Sequence, residues 1–256
     1  MIKLKKLLKE SNILIPRRTP EERRKNYIIA TQKKIQQYIN DGSKGDLNLI
    51  NTPITSLPDN LTVNGDLILS NTPITSLPDN LTVNGDLILS NAKITYLPDN
   101  LTVNGNLFIK NAPITSLPDN LTVGGSLSLL DTPITSLPDN LTVNGVLTVN
   151  NSKITALPKN LTVNAGLTLG NSKITSLPDN LKIGGFFSLE NAPITSLPDN
   201  LTVGGSLFLN NTKIASLPNN LTVDGGLDLS NTPISKKYTY DQLKKMLPGV
   251  KRDIQL

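Results

Sequence analysis

Cysteine, histidine and tryptophan are all absent from this chain of 256 residues. Without cysteine there is no disulfide, no thiolate metal site and no thiol nucleophile. Without histidine the commonest general base and the commonest zinc ligand are missing. Aromatic residues make up only 4%, so the core has to be an aliphatic ladder of Leu, Ile and Val. No apolar run approaches the roughly 20 residues of a membrane-spanning helix. The N-terminus has the lysines of a signal peptide, but its only apolar run is Ile13–Ile15, too short for an export signal. The reading is a protein of a cytoplasmic compartment with no cofactor. No Ser/His/Asp or Cys/His set and no phosphate-binding loop is present to make it an enzyme.

What the chain has in abundance is repetition. One twenty-residue phrase recurs about nine and a half times between Asp46 and Ile234 without insertion or deletion, and residues 51–70 and 71–90 are identical. An unbroken period of this length signals a solenoid, in which each coil buries its apolar side only against its neighbours. Such a stack presents long, nearly flat surfaces, and its default job is to hold another molecule.

Charge is split along the chain. Residues 1–45 carry 12 Lys and Arg against 4 Asp and Glu, residues 46–232 carry 7 against 14, and residues 233–256 carry 6 against 2. The ends are therefore basic and the repeats acidic. A nucleic-acid binder places a basic stripe along its long surface, so this distribution argues against nucleic acid as the partner.

One repeat runs from Asp66 to Gly85. Leu67 and Leu69 alternate with variable residues, the period of a strand. Gly85 precedes the next strand, where a missing Cβ permits a tight bend. Asn71 lies just past the strand, where Asn tolerates positive φ. Pro73 and Pro78 remove amide donors and push the preceding residues toward extended geometry. The return is thus expected to be polyproline-like or 3₁₀ through Leu77–Leu81, with Ile74, Leu77, Leu81 and Val83 turned inward.

The register Leu67-x-Leu69-x-x-Thr72-x-Ile74-x-x-Leu77-Pro78 resembles the core of leucine-rich repeats. It is most similar to the short bacterial class found in pathogen effectors, including the LPX-type effectors, and phage-encoded proteins with LPDNLTV repeats also look like it. The resemblance covers residues 46–234 and implies an α/β solenoid with one parallel sheet and a protein-binding role. Two departures stand out. The family's buried Asn ladder falls at Thr52, Thr72, Ala92, Ala112, Thr132, Ser152, Ser172, Ala192, Thr212 and Thr232, so the ladder is expected to be partial. The Leu three residues before the strand Leu is missing, with Val83 four residues before Leu87 in its place. A parallel β-helix is the alternative architecture, because Val83, Gly85, Leu67 and Leu69 types would suit one long alternating strand. Two prolines per coil and one clean strand per period favour the leucine-rich-repeat form.

A solenoid needs caps to cover its end coils. Thr19-Pro20-Glu21-Glu22 reads as a capping box with Pro at the first helical position. It predicts a helix to Tyr38–Asn40, stopped at Gly42, that lays Ile28, Ile35 and Ile39 on the first coil with Tyr27 and Tyr38 at the border. The Ile2–Glu10 segment sets Leu4, Leu7 and Leu8 opposite four lysines; shallow membrane attachment through so short an amphipathic stretch would be weak. The pair resembles the helical hairpin of effector leucine-rich repeats. At the other end, Thr239-Tyr240-Asp241-Gln242 predicts a helix to about Leu247. Asp253–Leu256 then matches Asp66–Leu69 and predicts an eleventh strand with Ile254 and Leu256 buried. Eleven strands at the spacing of a parallel sheet span on the order of 50 Å. The resulting organisation is an N-terminal cap over 1–45, a solenoid over 46–234 and a C-terminal cap over 235–256.

Candidate sites are few. Asp59, Asp79, Asp99, Asp119, Asp139, Asp179 and Asp199 form a row with one carboxylate per coil, interrupted by Lys159 and Asn219; a solvated turn explains it better than calcium. The Asn-Leu-Thr sequons, such as Asn60 and Asn80, are by-products of the repeat. The informative positions vary while the framework does not. The side chains flanking the inward leucines face the solvated side of the sheet. There Ile68, Ile88 and Phe108 are expected to stack on adjacent strands, with Ile50, Lys110 and Leu130 nearby, and Phe186 and Phe208 form a second group. Contiguous exposed apolar residues suggest a contact surface for a protein partner; β-branched and aromatic residues also favour exposed strand positions for their own sake. No small-molecule substrate or metal is implied. The competing reading is a spacer in a larger assembly, docked by its basic ends.

Overall fold

The computed structural model describes residues 18–256, so the Ile2–Glu10 segment lies outside the described residues. Each coil is built alike. Leu67–Ile68 is a two-residue strand with Leu67 buried and Ile68 half-buried on the outer side. Asn71 takes a left-handed φ of 57°, a region Asn reaches because its short polar side chain bonds locally. The two prolines keep the return extended. It holds no helix and tightens to a single turn at Asp79–Asn80, where Asn80 is again left-handed at 58°. Thr82–Val83 follows as a second short strand with Val83 inward. A bend at Asn84–Gly85 leads into the next coil. Ile74, Leu77, Leu81 and Val83 are all buried, as are Leu67 and Leu69.

Stacking these coils produces two parallel sheets. The first has eleven strands in chain order, from Leu47–Asn48 to Ile254–Gln255; the second has nine, from Thr62–Val63 to Thr222–Val223. Leu67 and Leu69 donate to Asp86 and Ile88 carbonyls at 2.8 Å, and Asn84 donates back to Val63 at 2.8 Å. The second sheet departs from the single sheet expected. Thr and Val are both β-branched and suit a pleated, half-buried surface, and their partners lie one period away in the chain. The Asn84–Gly85 bend separates the two strands of a coil, so they are not the one long strand on which the β-helix alternative depended.

The corner glycine also works differently from expectation. No left-handed φ is needed at Gly85. A Cβ there would fall 2.8 Å from the Gly65 carbonyl oxygen, the oxygen to which the Gly85 N–H donates at 3.0 Å. Glycine suits the corner because successive backbones come this close, and Ala165 alone departs from it.

Asparagines hold the corners along the stack. Asn71 Nδ2 donates to Asn51 Oδ1 at 2.9 Å, and Asn91 and Asn111 continue the line at 2.9 and 3.0 Å. A second line includes Asn80 to Asn60 at 3.3 Å, and a third includes Asn84 to Asn64 at 2.9 Å. These ladders are exposed, and the first lies one residue before the position where a partial buried ladder was expected. At that position, Thr52, Thr72, Thr132, Thr212 and Thr232 each donate to a carbonyl of their own coil at 2.6 Å. Ala92 keeps its backbone bond to Leu89 at 3.0 Å, so alanine there forfeits a hydroxyl bond without stranding a polar group.

At the N-terminal end, helix α1 (Pro20–Asn40) has the expected Thr19/Glu22 capping box. It buries Thr31 and Ile35, half-buries Ile28, Tyr38 and Ile39, and leaves Tyr27 exposed. Lys34 and Tyr27 reach the Asn48 and Asn51 carbonyls at the edge of the first sheet. The Tyr38 hydroxyl lies 2.8 Å from the carbonyls of both Ser43 and Gly45, and accepts from Asn64 N–H at 3.3 Å. It thus shares the Asn64 N–H with the Ser43 carbonyl, which accepts at 3.4 Å, and supplements the contact that a preceding coil would make.

At the C-terminal end, α2 (Pro233–Lys237) is an unforeseen helix, capped by Thr232. It forms because Tyr238 replaces the second proline of the repeat. α3 (Tyr240–Met246) has the predicted Thr239/Gln242 box. Ile254 and Gln255 pair with Leu227 and Asp228 in the predicted register. Ile254 is buried, but Leu256 is 43% exposed, contrary to expectation: α3 lies against the strand at Ile254–Gln255 and leaves Leu256 uncovered.

Candidate partner-binding face

The outer side of the first sheet is a grid of rows running along the stack. In the central row the register is Asn48 to Ile68, Ile68 to Ile88, Ile88 to Phe108 and Phe108 to Ser128. Ile68, Ile88 and Phe108 are therefore on three adjacent strands, at the roughly 4.8 Å spacing of a sheet, and each is half-buried. Ser128, Thr148, Thr168 and Ser188 continue the row, followed by Phe208, Asp228 and Gln255. The apolar block occupies one end of the face and short hydroxyl side chains fill its middle.

Ile50, Lys110 and Leu130 fall in the neighbouring row, two residues further along their strands. Ile50 is 42% exposed and Ser70 beside it is buried. Lys110 is exposed and Leu130 half-buried. The row thus places one apolar residue at each end of the Ile68–Phe108 block and a cation beside Phe108.

The row on the other flank is structural. Asp46, Asp66, Asp86, Asn106 and Ser126 each accept the backbone N–H of the next coil, at 2.9, 2.8, 2.7, 2.7 and 3.0 Å. One oxygen of each of those carboxylates is committed to the backbone. The series breaks at Val146, Gly166 and Phe186, which carry no acceptor.

Phe186 belongs to this flanking row and Phe208 to the central one, so they do not form the single group expected. A Cβ on Gly166 would collide with the Phe186 ring, which places that ring over the preceding coil. Phe208 instead borders a shallow hollow of about 210 Å³ with Asp228, Asp253 and Gln255 of the following coils. The missed signal was Gly166, whose lack of a side chain makes room for a ring twenty residues later.

The second sheet offers a contrasting outer row: Thr62, Thr82, Thr102, Thr122, Thr142, Thr162, Lys182, Thr202 and Thr222. The exposed Asp59-to-Asp199 row lies at the turns preceding it, and among the described residues no three acidic side chains converge to hold a metal. No helix among them is long and apolar enough to cross a membrane. A deeper groove of about 320 Å³ runs between α1 and the first coil, lined by Ile28, Ile35, Ile39, Ile54 and Leu57.

Comparison with solved structures identifies leucine-rich-repeat proteins. YopM, a leucine-rich effector protein from Yersinia pestis, aligns with a TM-score of 0.53 at 19% identity over 80% of this chain and 65% of its own. YopM from Yersinia enterocolitica aligns with a TM-score of 0.53 at 22% identity over 90% of this chain and 55% of its own. A leucine-rich-repeat protein of Leptospira interrogans aligns with a TM-score of 0.35 at 21% identity over 80% of this chain and 76% of its own. This chain thus spans less than two thirds of the YopM chains. No protein-family model and no curated protein sequence matches. The fold is a bacterial-type leucine-rich-repeat coil stack of twenty-residue period.

Proposed function

We propose that the chain is a non-enzymatic scaffold that binds a partner protein through the outer face of its first sheet, anchored by Ile68, Ile88 and Phe108. The observation that carries this is three apolar side chains in one row on adjacent strands, part-exposed on a rigid support. Ile50, Lys110 and Leu130 border the anchor, and Phe186 and Phe208 offer separate contacts further along. Apolar anchors presented on such a support bind with little ordering cost. The leucine-rich-repeat fold suits the role, since it keeps one uninterrupted face along the whole stack.

Affinity capture with the purified chain tests it. Replacing Ile68, Ile88 and Phe108 together by Ser leaves circular dichroism unchanged and abolishes capture. Replacing Thr82, Thr102 and Thr122 by Val on the second sheet leaves capture intact. Undiminished capture by the triple Ser variant would remove the hypothesis.

A second reading, a spacer docked by its basic ends, is favoured by the charge split between the ends and the acidic repeats. It predicts the opposite pattern. Capture survives the Ser substitutions and is lost when the exposed Arg23, Arg24 and Lys25 of α1 are replaced by Glu.

A further inference from the structure

Four copies of one heptapeptide, Asp-Asn-Leu-Thr-Val-Asn-Gly, end at Gly65, Gly85, Gly105 and Gly145. Each closes on an Asn–Gly pair, where no side chain hinders attack of the glycine nitrogen on the asparagine carboxamide. In all four the asparagine is exposed and the glycine half-buried. Neither local sequence nor exposure tells them apart.

Their hydrogen bonds do. The N–H groups of Gly85, Gly105 and Gly145 donate to the carbonyls of Gly65, Gly85 and Gly125, each at 3.0 Å. Asn84 and Asn104 further tie their Nδ2 to Asn64 and Asn84 Oδ1 at 2.9 Å. The first corner lacks both of these donor bonds, and its one ladder tie is Asn64 Oδ1, which accepts from Asn84 Nδ2 at 2.9 Å. Among the described residues the Gly65 N–H has no acceptor. Gly45, one period earlier, is left-handed at φ 71°, and its carbonyl faces the Tyr38 hydroxyl at 2.8 Å. Lys44 stands where the ladder would need an asparagine, and among the described residues Asn64 Nδ2 has no acceptor. Asn144 is intermediate, because its glycine is bonded but Gly124 interrupts the ladder before it.

We propose that Asn64–Gly65 is a site of spontaneous deamidation, and that the stacking of the coils protects the three identical sequences behind it. The Gly65 amide nitrogen gives its proton to solvent base and attacks Asn64 Cγ, and the carboxamide nitrogen leaves as ammonia. Water then opens the succinimide at either carbonyl, leaving an aspartyl or isoaspartyl residue at position 64. The product places a new carboxylate at the corner that Tyr38 caps, and the isoaspartyl form lengthens the backbone there by one carbon. The modification therefore marks and loosens the N-terminal end of the stack.

The full chain is aged at mildly alkaline pH, folded and in parallel in denaturing urea, and the mass gain is located by fragmenting the tryptic peptide 45–93 for Asn64 and Asn84. The peptides containing Asn104 and Asn144 are followed alongside. In the folded chain Asn64 converts at least about tenfold faster than Asn84, where two more hydrogen bonds must open before attack, and several-fold faster than Asn104, where one more must. Asn144, likewise one bond tighter than Asn64, converts at about the Asn104 rate, and the four rates converge in urea. Asn64→Gln removes the early mass gain. Equal rates in the folded chain would overturn the proposal. So would a lead for Asn64 that persists in urea, since local sequence rather than stacking would then be the cause.

Discussion

The two sheets are made by the same coils, yet their outer rows have opposite characters. On the second sheet the outward residue is Thr in every coil but one, where Lys182 stands. On the first sheet it runs Asn48, Ile68, Ile88, Phe108, Ser128, Thr148, Thr168, Ser188, Phe208, Asp228. Repeats that are identical over residues 51–90 share a common framework, and the framework is nearly constant at the inward aliphatic positions, at the Asn71 and Asn80 lines and in the outer row of the second sheet. Diversity concentrates on the outer side of the first. A surface needed only to keep the stack folded has no reason to vary in this way, since Thr serves as well on one sheet as on the other. The contrast locates where this chain differs from an idealised repeat array.

The strongest test of the two-sheet arrangement is a change of register. Deleting residues 71–90 removes one period and restores every pairing between neighbours; the variant folds to a slightly shorter stack with the same circular dichroism. Deleting residues 71–80 alone removes half a period and sets Leu positions of the first sheet against return segments. It also breaks the second sheet, whose Val63-to-Val83 pairing depends on the same spacing. That variant does not fold. Equal tolerance of both deletions would refute the stacked register of both sheets at once.

A smaller effect separates the sheets at the corner between them. In Gly85→Ala the new methyl group meets the backbone of Gly65, which cannot move without disturbing both strands. The cost expected for overpacking a rigid site is about 1–3 kcal/mol, read by urea unfolding. The chain carries its own comparison. Ala165 occupies the equivalent corner, and the flanking residue of the coil before it is Val146 in place of the Asp, Asn or Ser that bonds to the next coil elsewhere. Gly85→Ala combined with Asp66→Val tests whether that exchange softens the corner. A double variant less stable than the sum of its parts would show that it does not.

What was legible in the sequence follows from what repeats locally. Leu67, Leu69, Ile74, Leu77 and Leu81 were readable as core because their spacing is a pattern within one coil. Asp253–Leu256 was readable as a strand because it copies that pattern. The outward rows followed from strand alternation. What escaped depends on a neighbour twenty residues away. Thr82–Val83 is too short to show a period, and becomes a strand only through its copies above and below. Gly85 reads as a flexible turn until the carbonyl of Gly65 is seen beside it. Phe186 reads as a partner of Phe208 until Gly166 draws its ring the other way. Leu256 fits the inward pattern but has no helix over it.

The smallest expected effect concerns how the corner between the sheets is closed at its first coil. At Asn84 and Asn104 the corner N–H bonds to the previous coil, at Val63 and Val83; at Asn64 it is shared between the Ser43 carbonyl at 3.4 Å and the Tyr38 hydroxyl at 3.3 Å. Burial raises the Tyr38 pKa above the ordinary 10.0, and the negative charge of Asp46 raises it further, while the Asn64 N–H works in the opposite direction. The neutral phenol is thus the form the folded chain prefers, which is the form that can donate to Ser43 or Gly45. A raised folded-state pKa means that this contribution is complete below about pH 10 and is lost as pH rises through the folded value. Tyr38→Phe removes the hydroxyl bonds at a partly exposed site, a loss of at most about 1 kcal/mol. The difference in unfolding free energy between the two proteins is therefore constant through neutral pH and shrinks above pH 10, with the lysines cancelling because both proteins carry them. A difference that stays constant to the highest pH would mean that the ring alone plugs the corner and that the hydroxyl does not replace the missing coil.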